Sequence, residues 1–320
     1  MTKNNSKKII ALLPFKNEGW IIGEYINSVK KITDHIIAYD DNSTDDSRKL
    51  LEKAGAKIIE KNYKTESYFA EHKIRQDLLE EGRKDGGTHF ICLDADEIFS
   101  NNFIKQGREI IYSLKPSQGL WMDWVNLYGD IKNERKDDVY HNINKCFVFC
   151  DEANLTFPYA FVGVSRTPTS PENRIVIDRK QGSVIHFQFL NKERFLMKRV
   201  WYMCSELIKA DRSALRINTT YDVQKDRKNI RKVPIDSDSA FEINNDSITE
   251  YDYKEDWRFK EIIRWFDKYG IGYFEPLDIW AEKVFQEEFV RRIGRPPSPK
   301  VLPGWLIKLN YIKNKIRNLF

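Results

Sequence analysis

The stretch His89-Phe90-Ile91-Cys92-Leu93-Asp94-Ala95-Asp96-Glu97 joins an apolar run to a cluster of three acids. An apolar run of this length predicts a strand that is buried on both faces. Acids that follow such a strand directly lie at its carboxyl end. The stretch therefore predicts a buried strand whose end presents carboxylates to a ligand.

Three shorter strand patterns precede this stretch, and a helical pattern follows each of them. The strands are predicted over 8–13, 36–39 and 57–60, with Pro14 ending the first. The helices are predicted over 20–29, from a cap at Ser43 or Thr44 to Gly55, and over 67–82. This alternation is typical of an α/β fold in which helices cover a parallel sheet.

Polar clusters follow three of the predicted strands. They are Phe15–Glu18, Asp40–Ser43 and Asp94–Glu97. In open α/β sheets, ligands bind outside the carboxyl ends of the strands. The three clusters therefore predict one binding site at this edge of the sheet.

The acids in these clusters suit a nucleotide diphosphate. One of Asp94 and Asp96 can bind a ribose, and the other can bind a divalent cation that neutralises the diphosphate. A carboxylate at Asp40 or Asp41 can accept a hydrogen bond from a uracil or a ribose. Local structure offers an alternative for each cluster, because acids also stabilise helix N-termini and turns.

The first cluster belongs to the same predicted pocket. Pro14 directs the chain out of the first strand, and Asn17 and Glu18 are expected to line the nucleotide site. The alternative is an ordinary strand-to-helix turn.

The three motifs together resemble family 2 glycosyltransferases, in the order and at the spacing of that family. They are Leu13–Glu18, Tyr39–Ser47 and Leu93–Glu97, within residues 8–104. The resemblance implies a glycosyltransferase-A fold, a nucleotide-sugar donor with UDP favoured, Mn²⁺ or Mg²⁺, and inversion at the anomeric carbon. It also implies that Asp41 contacts the base, Asp94 the ribose, and Asp96 the metal and diphosphate.

A weaker resemblance, to the branches that build bacterial lipopolysaccharide and related glycans, continues downstream. It involves Val184-Ile185-His186-Phe187-Gln188-Phe189, then Lys198 and Tyr202 on the next predicted helix, 191–210. His186, after an apolar strand, is expected to complete the metal site, with a structural histidine as the alternative. Lys198 is expected to bind the diphosphate, with a solvated lysine as the alternative.

An inverting transferase also needs a carboxylate that deprotonates the acceptor hydroxyl. Relatives supply it about twenty residues before the late histidine, where this chain reads Gly163-Val164-Ser165-Arg166. Asp123 and Glu172 are our candidates, and Asp151 and Glu152 remain open.

Charge and cysteine content limit the class of protein. The net charge is +5, but residues 291–320 hold eight basic residues and no acid, so the basic character belongs to the tail. The tail, 303–320, predicts a basic amphipathic helix on an anionic membrane surface, or a helix docked on protein. No nucleic-acid module accompanies it. No apolar run is long enough for a membrane span, and the four cysteines are expected to be buried free thiols in a reducing compartment.

These patterns predict a mixed sheet flanked by helices and a C-terminal helical extension. We expect a nucleotide-sugar-binding half at 1–115, an acceptor half at 116–215, and a polar excursion with the helical extension at 216–320. The predicted function is a cytoplasmic, peripherally membrane-bound glycosyltransferase of the hexosyltransferase type, acting on a glycan or lipid-linked acceptor. Alternatives are an aspartyl phosphotransferase or phosphatase, and a non-catalytic membrane-associated binding protein.

Overall fold

The computed structural model describes residues 7–61, 70–137, 140, 143–159, 165–209, 212–222, 230–244, 248 and 250–302. The strands described are β1 (Ile9–Phe15), β2 (His35–Asp40), β3 (Lys57–Ile59), β4 (His89–Ile91), β5 (Glu97–Phe99), β6 (Gly119–Tyr128), β7 (Asn133–Arg135), β8 (Asn144–Cys150), β9 (Arg174–Val176), β10 (Ser183–Phe189) and β11 (Lys232–Pro234). The helices are α1 (Ile22–Val29), α2 (Ser47–Lys53), α3 (Glu71–Lys84), α4 (Asn101–Ser113), α5 (Lys192–Ile208), α6 (Ala214–Tyr221), α7 (Trp257–Tyr269) and α8 (Lys283–Ile293). The predicted α/β class, a mixed sheet flanked by helices, is confirmed.

The sheet has the order β11-β7-β6-β8-β4-β1-β2-β3. Strands β1 to β4 are parallel, β8 is antiparallel to β4, and β6 is antiparallel to β8. On the other side of β6 lies β10, parallel to it, and β5 pairs with β10 in the antiparallel sense. Strands β4, β6 and β10 therefore point the same way, and their carboxyl ends share one edge with the amino end of β8.

The predicted burial of β1 on both faces is confirmed, because alternate residues enter two cores. Leu13 packs in one core with Tyr25 of α1. Leu12 packs in the other core with Leu79 of α3. Burial of each such side chain stabilises the fold by about 1.5–3 kcal/mol, so the two cores hold the strand ends in a defined position.

Two local predictions about the first half are wrong. Pro14 does not end β1, which continues to Phe15, whose carbonyl accepts from the Asp41 N–H at 2.9 Å. Because neighbouring residues of a strand face opposite sides, the nitrogen of Pro14 faces the β4 side. There the β1–β4 pairing covers only Ile9–Ala11, so the missing N–H costs no ladder bond.

The second error concerns the start of α2. This helix begins at Ser47, beyond Ser43 and Thr44, and the Ser47 N–H donates to Asp45 Oδ1 at 3.0 Å. Both predicted caps lie in the preceding loop, where they bond to neighbouring segments. Gly55 follows the helix with a φ of +82°, as its predicted position requires.

The described residues form two compact units. The first lies within Met1–Leu190 and Arg231–Thr249, and the second within Asn191–Ile230 and Glu250–Phe320. The chain thus enters the second unit at Asn191, whereas we expected a boundary at 215, because α5 packs against α6 and α7. Asn191 caps α5, as predicted, by accepting from the Arg194 N–H at 2.9 Å.

Two bulk predictions can be compared with the structure. All four cysteines are buried free thiols, as expected. Within the described ranges, none of the helices combines the length and apolar character that crossing a bilayer requires. The tail over 303–320 lies outside the described residues, and its membrane contact stays a prediction.

Candidate active site

The loops that follow β1 and β2 are joined by hydrogen bonds. Asn17 adopts a left-handed conformation, with φ at 52°, and its side-chain oxygen accepts from the Thr44 N–H at 2.6 Å. Its own N–H donates to Ser43 Oγ at 3.0 Å, and the Glu18 N–H donates to Ser47 Oγ at 2.8 Å. Asn17 therefore holds the two loops together as one rim at the carboxyl edge of the sheet.

The two acids after β2 have different environments. Asp40 is buried and its Oδ1 accepts from the Ser43 N–H at 2.8 Å, so it stabilises the turn. Asp41 is more exposed and lies 3.5 Å from the Lys16 ammonium. At the same rim, Glu18 accepts from the Trp20 indole N–H at 2.7 Å, and Pro14 lies within β1. Asp41 is thus the acid of this pair that is placed to meet a ligand.

Asp94 is held by two arginines. Its Oδ2 lies 2.8 Å from Arg166 and its Oδ1 lies 3.6 Å from Arg75 of α3. Burial would lower the pKa of Arg166, but Asp94 and Glu97 outweigh burial, and that pKa is raised. Both arginines therefore stay charged and fix the position of the Asp94 carboxylate.

Glu97 is fully buried and connects the acidic cluster to β6. Its Oε1 accepts from the Trp124 indole N–H at 2.8 Å, and its Oε2 accepts from the Asp94 N–H at 2.8 Å. Arg166 forms an ion pair with the same carboxylate. Burial raises the pKa of Glu97, while the ion pair acts in the opposite direction. These contacts make Glu97 a support for the cluster.

Asp96 lies opposite His186. Strand β5 begins directly after Asp96 and pairs with β10, so that Glu97 aligns with His186 and the Phe187 N–H donates to the Asp96 carbonyl at 3.0 Å. This pairing leaves Asp96 Oδ2 3.4 Å from His186 Nε2, and both residues are buried. The predicted metal ligands, 90 residues apart in the sequence, are therefore neighbours.

Asn126 determines which nitrogen of His186 carries the proton. The Asn126 amide nitrogen donates to the Trp124 carbonyl at 3.0 Å, so the amide oxygen is the atom that faces His186 Nδ1 at 2.8 Å. Because that oxygen can only accept, Nδ1 carries the proton in the neutral ring. The lone pair of Nε2 then points toward Asp96.

A lone pair that faces a carboxylate favours a cation between them. Divalent cations in transferase sites take one or two protein ligands and complete their shell with phosphate oxygens and water. Asp96 and His186 fit that two-ligand arrangement. No group of three or more acid, histidine or cysteine ligands occurs in the part of the chain that is described. A cation here would depend on substrate oxygens.

Trp124 stands between His186 and Lys145. The indole stacks on the imidazole, with ring centroids 4.4 Å apart and planes 17° apart. The Lys145 ammonium lies 3.7 Å from the centroid of the same ring. Strands β10 and β8 lie on opposite sides of β6, since both pair with Asp123, so the imidazole and the ammonium contact opposite faces of the indole.

Two predicted site residues are not brought together with this group. Asp123 alternates with Trp124 along β6, so its side chain lies on the other face of the sheet, where it forms an ion pair with Arg179. Glu172 is exposed before β9, near the amino end of β6. Lys198 lies on α5 in the second unit, and its binding of the diphosphate stays a prediction.

Sequence reasoning missed several residues of the site. Arg166, Arg75, Trp124, Asn126 and Lys145 were not among the candidates. The alternation along β6 and β8 places Trp124, Asn126 and Lys145 on one face, and that pattern was a usable signal. The segment around Arg166 has no periodicity that points to the site.

Comparison with known families agrees with this geometry. The family model described as Glycosyl transferase family 2 matches residues 11–116, which include all three motifs, most of β1, and strands β2 to β5. Residues 11–116 are therefore similar to glycosyltransferase family 2, and the resemblance predicted from the motifs is confirmed. This segment contains Asp41, Asp94 and Asp96, whereas His186 lies outside it.

Curated relatives of this chain are named as uncharacterized glycosyltransferases. An uncharacterized glycosyltransferase of Rickettsia conorii is 31% identical over 149 residues, which cover 46% of this chain and 49% of that protein. One from Rickettsia felis is 31% identical over 143 residues, covering 44% and 46%. The chain thus spans about half the length of the curated relatives it matches.

Solved structures give only a distant likeness. Glucosyl-3-phosphoglycerate synthase from Mycobacterium tuberculosis is 19% identical, with a TM-score of 0.26 over 39% of this chain and 46% of that one. Mannosyl-3-phosphoglycerate synthase from Rubrobacter xylanophilus is 16% identical, with a TM-score of 0.27 over 39% and 42%. TM-scores this far below 0.5 do not establish a shared overall fold.

Proposed function

We propose that the protein is a divalent-metal-dependent glycosyltransferase that moves a sugar from a nucleotide-diphosphate sugar, with UDP favoured, to a glycan or lipid-linked acceptor. The observation that carries the proposal is the buried approach of Asp96 Oδ2 to His186 Nε2 at 3.4 Å. Asp96 belongs to the segment that is similar to family 2, and the pair lies at the sheet edge that also carries the Asn17 rim.

Each residue has a stated task in this proposal. Asp96 and His186 hold the cation, which neutralises charge on the leaving diphosphate when it is bound. Asn126 holds the proton of His186 on Nδ1 and keeps Nε2 available. Asp94, positioned by its arginines, accepts from the ribose, and Asp41 accepts from the base.

The acceptor-activating base remains unassigned. Asp123 faces the other side of the sheet and is neutralised by Arg179, and Glu172 is exposed at the far end of β6. The geometry favours neither as the group that takes the proton from the acceptor hydroxyl, and inversion at the anomeric carbon stays a prediction of the family resemblance.

The competing phosphotransferase needs an aspartate that is open to attack a phosphate. Asp94 is engaged by Arg166 and Asp96 is buried against His186, so neither is arranged as a nucleophile. Measuring nucleotide release on addition of acceptor distinguishes the glycosyltransferase from the remaining alternative, a non-catalytic binding protein. Such a protein would bind the nucleotide without releasing it when acceptor is added.

Thermal shifts with UDP, GDP, CDP and dTDP, each with and without Mn²⁺, test the proposal. One nucleotide should stabilise the protein only with the metal, by about 2.7 kcal/mol at a hundredfold excess over its Kd. Asp96→Asn should remove the effect, whereas Asp46→Asn, at a side chain that is 78% exposed, should keep it. A protein that responds to none of the four nucleotides would refute the proposal.

A further inference from the structure

Lys145 is a partly buried lysine at the site that has no partner of opposite charge within the described part of the chain. Among the residues that the structure describes, its ammonium has neither a hydrogen bond nor an ion pair, and its contact is the face of Trp124 at 3.7 Å. An ammonium removed from water normally has a charged or hydrogen-bonding partner. This one is placed to receive a partner from a ligand.

The position of Lys145 follows from strand direction. It lies at the amino end of β8, which runs antiparallel to β4 and β6, and it aligns with Met122 of β6. It therefore shares a face and a sheet edge with Trp124 and Asn126. Burial and the nearby Arg166 lower the pKa of Lys145 more than Glu97 and Asp94 raise it, so the surrounding protein compensates its charge only in part.

The other charged groups described at the site are paired with one another. Asp94 and Glu97 pair with Arg166, and Arg75 is shared between Asp94 and Glu71. A divalent cation beside Asp96 would leave one surplus positive charge, and Lys145 supplies a second. The diphosphate of a nucleotide sugar carries one negative charge on each phosphate, so the pair balances it.

We propose that Lys145 binds the diphosphate of the donor, by a charge-assisted hydrogen bond to a phosphate oxygen. This assignment rests on the proposed function and adds to it a cation contributed from β8. Trp124 acts as the spacer that holds this ammonium on one face of its ring and the imidazole of His186 on the other.

Calorimetric titration of the full chain with inorganic pyrophosphate and Mg²⁺ tests the assignment independently of the base and the sugar. Lys145→Met should weaken pyrophosphate binding about tenfold, which corresponds to about 1.4 kcal/mol. Lys145→Arg should retain most of the affinity. Lys105→Met, at an exposed lysine of α4, is the matched control and should bind as the wild type does.

A second measurement separates binding from folding. Methionine can keep the contact with Trp124, so Lys145→Met should melt at the wild-type temperature without ligand. A substantially lower melting temperature would mean a structural role and would overturn the assignment. So would equal pyrophosphate affinity in Lys145→Met and wild type, which would leave the proposed glycosyltransferase intact.

The glycosyltransferase proposal can also fail while the Lys145 assignment holds. If no nucleotide diphosphate stabilises the protein, the proposed function fails. Pyrophosphate binding that Lys145→Met weakens would then still support Lys145 as an anion-binding residue. Absence of pyrophosphate binding in the wild type would overturn the Lys145 assignment.

Discussion

Replacing Arg166 by methionine removes the guanidinium that neutralises the acidic cluster. Arg166 divides its two terminal nitrogens between Asp94 and Glu97, and its guanidinium carbon lies 5.1 Å from the centroid of the Phe147 ring. Methionine keeps an unbranched apolar side chain without the charge, so the substitution mainly tests the guanidinium. We expect a large loss of stability because one of the two carboxylates cannot reach water.

The magnitude follows from the burial of the two acids. The Asp94 side chain is 38% exposed and keeps Arg75, so its share of the loss should be under about 1 kcal/mol. Glu97 is fully buried, and removing the partner of a buried ion costs about 3–5 kcal/mol. We therefore expect Arg166→Met to lower the free energy of unfolding by about 3–5 kcal/mol.

A double-mutant cycle that combines Arg166→Met with Glu97→Gln tests whether the uncompensated charge of Glu97 causes the loss of stability. Glutamine carries no charge and keeps one acceptor oxygen, so it can retain one of the two hydrogen bonds that Glu97 accepts from Trp124 and Asp94; the loss of the other occurs in both Glu97→Gln variants and cancels in the cycle. In the double variant the uncompensated charge is gone, so the coupling energy between the two sites should be about 2–3 kcal/mol.

Urea unfolding, followed by fluorescence and far-UV circular dichroism, measures the four proteins. Arg48→Met, at a side chain that is 42% exposed on α2, is the control and should unfold nearly as the wild type does. A coupling energy below about 1 kcal/mol would refute the view that Arg166 serves to neutralise buried Glu97.

Three further predictions concern the scaffold. Gly82→Ala should destabilise the protein by about 1–3 kcal/mol in urea unfolding, because the added methyl would overlap the Phe90 ring. Gly23→Ala has open space around it and should stabilise the protein by about 0.5–1 kcal/mol. Equal effects of the two substitutions would contradict this packing. Asn191→Ala should lower the melting temperature through a loss of about 1 kcal/mol, and Asn191→Asp should not, since aspartate also caps. Burial lowers the pKa of His89 from 6.5 to about 4, so the unfolded chain binds its proton first as pH falls. Stability present above pH 6.5 should therefore decrease by about 2–3 kcal/mol by pH 4.5, and His89→Gln, followed across the same pH series, should lack this part of the decrease.

Local patterns predicted much of the fold because their signals span a few residues. The period-two and helical spacings located most strands and helices, and Asn191 was correctly predicted as the N-cap of α5. The acids after β4 and the loop after β2 were placed at one sheet edge because parallel strands end together. Prediction failed at Pro14 and at the α2 cap, where a neighbouring strand or loop decides which bonds are needed.

The composition of the site was decided by the tertiary structure. The sequence alone determined that Asp94 and Asp96 follow a buried strand. His186, expected after a late apolar strand, lies within β10 because the pairing with β5 and β6 continues past it. Which carboxylate faces His186 depends on the register of β5 against β10, and the engagement of Arg166 depends on a loop more than sixty residues away. Strand pairing also put Lys145 beside Trp124 and turned Asp123 to the opposite face, since a side chain's face depends on register across strands.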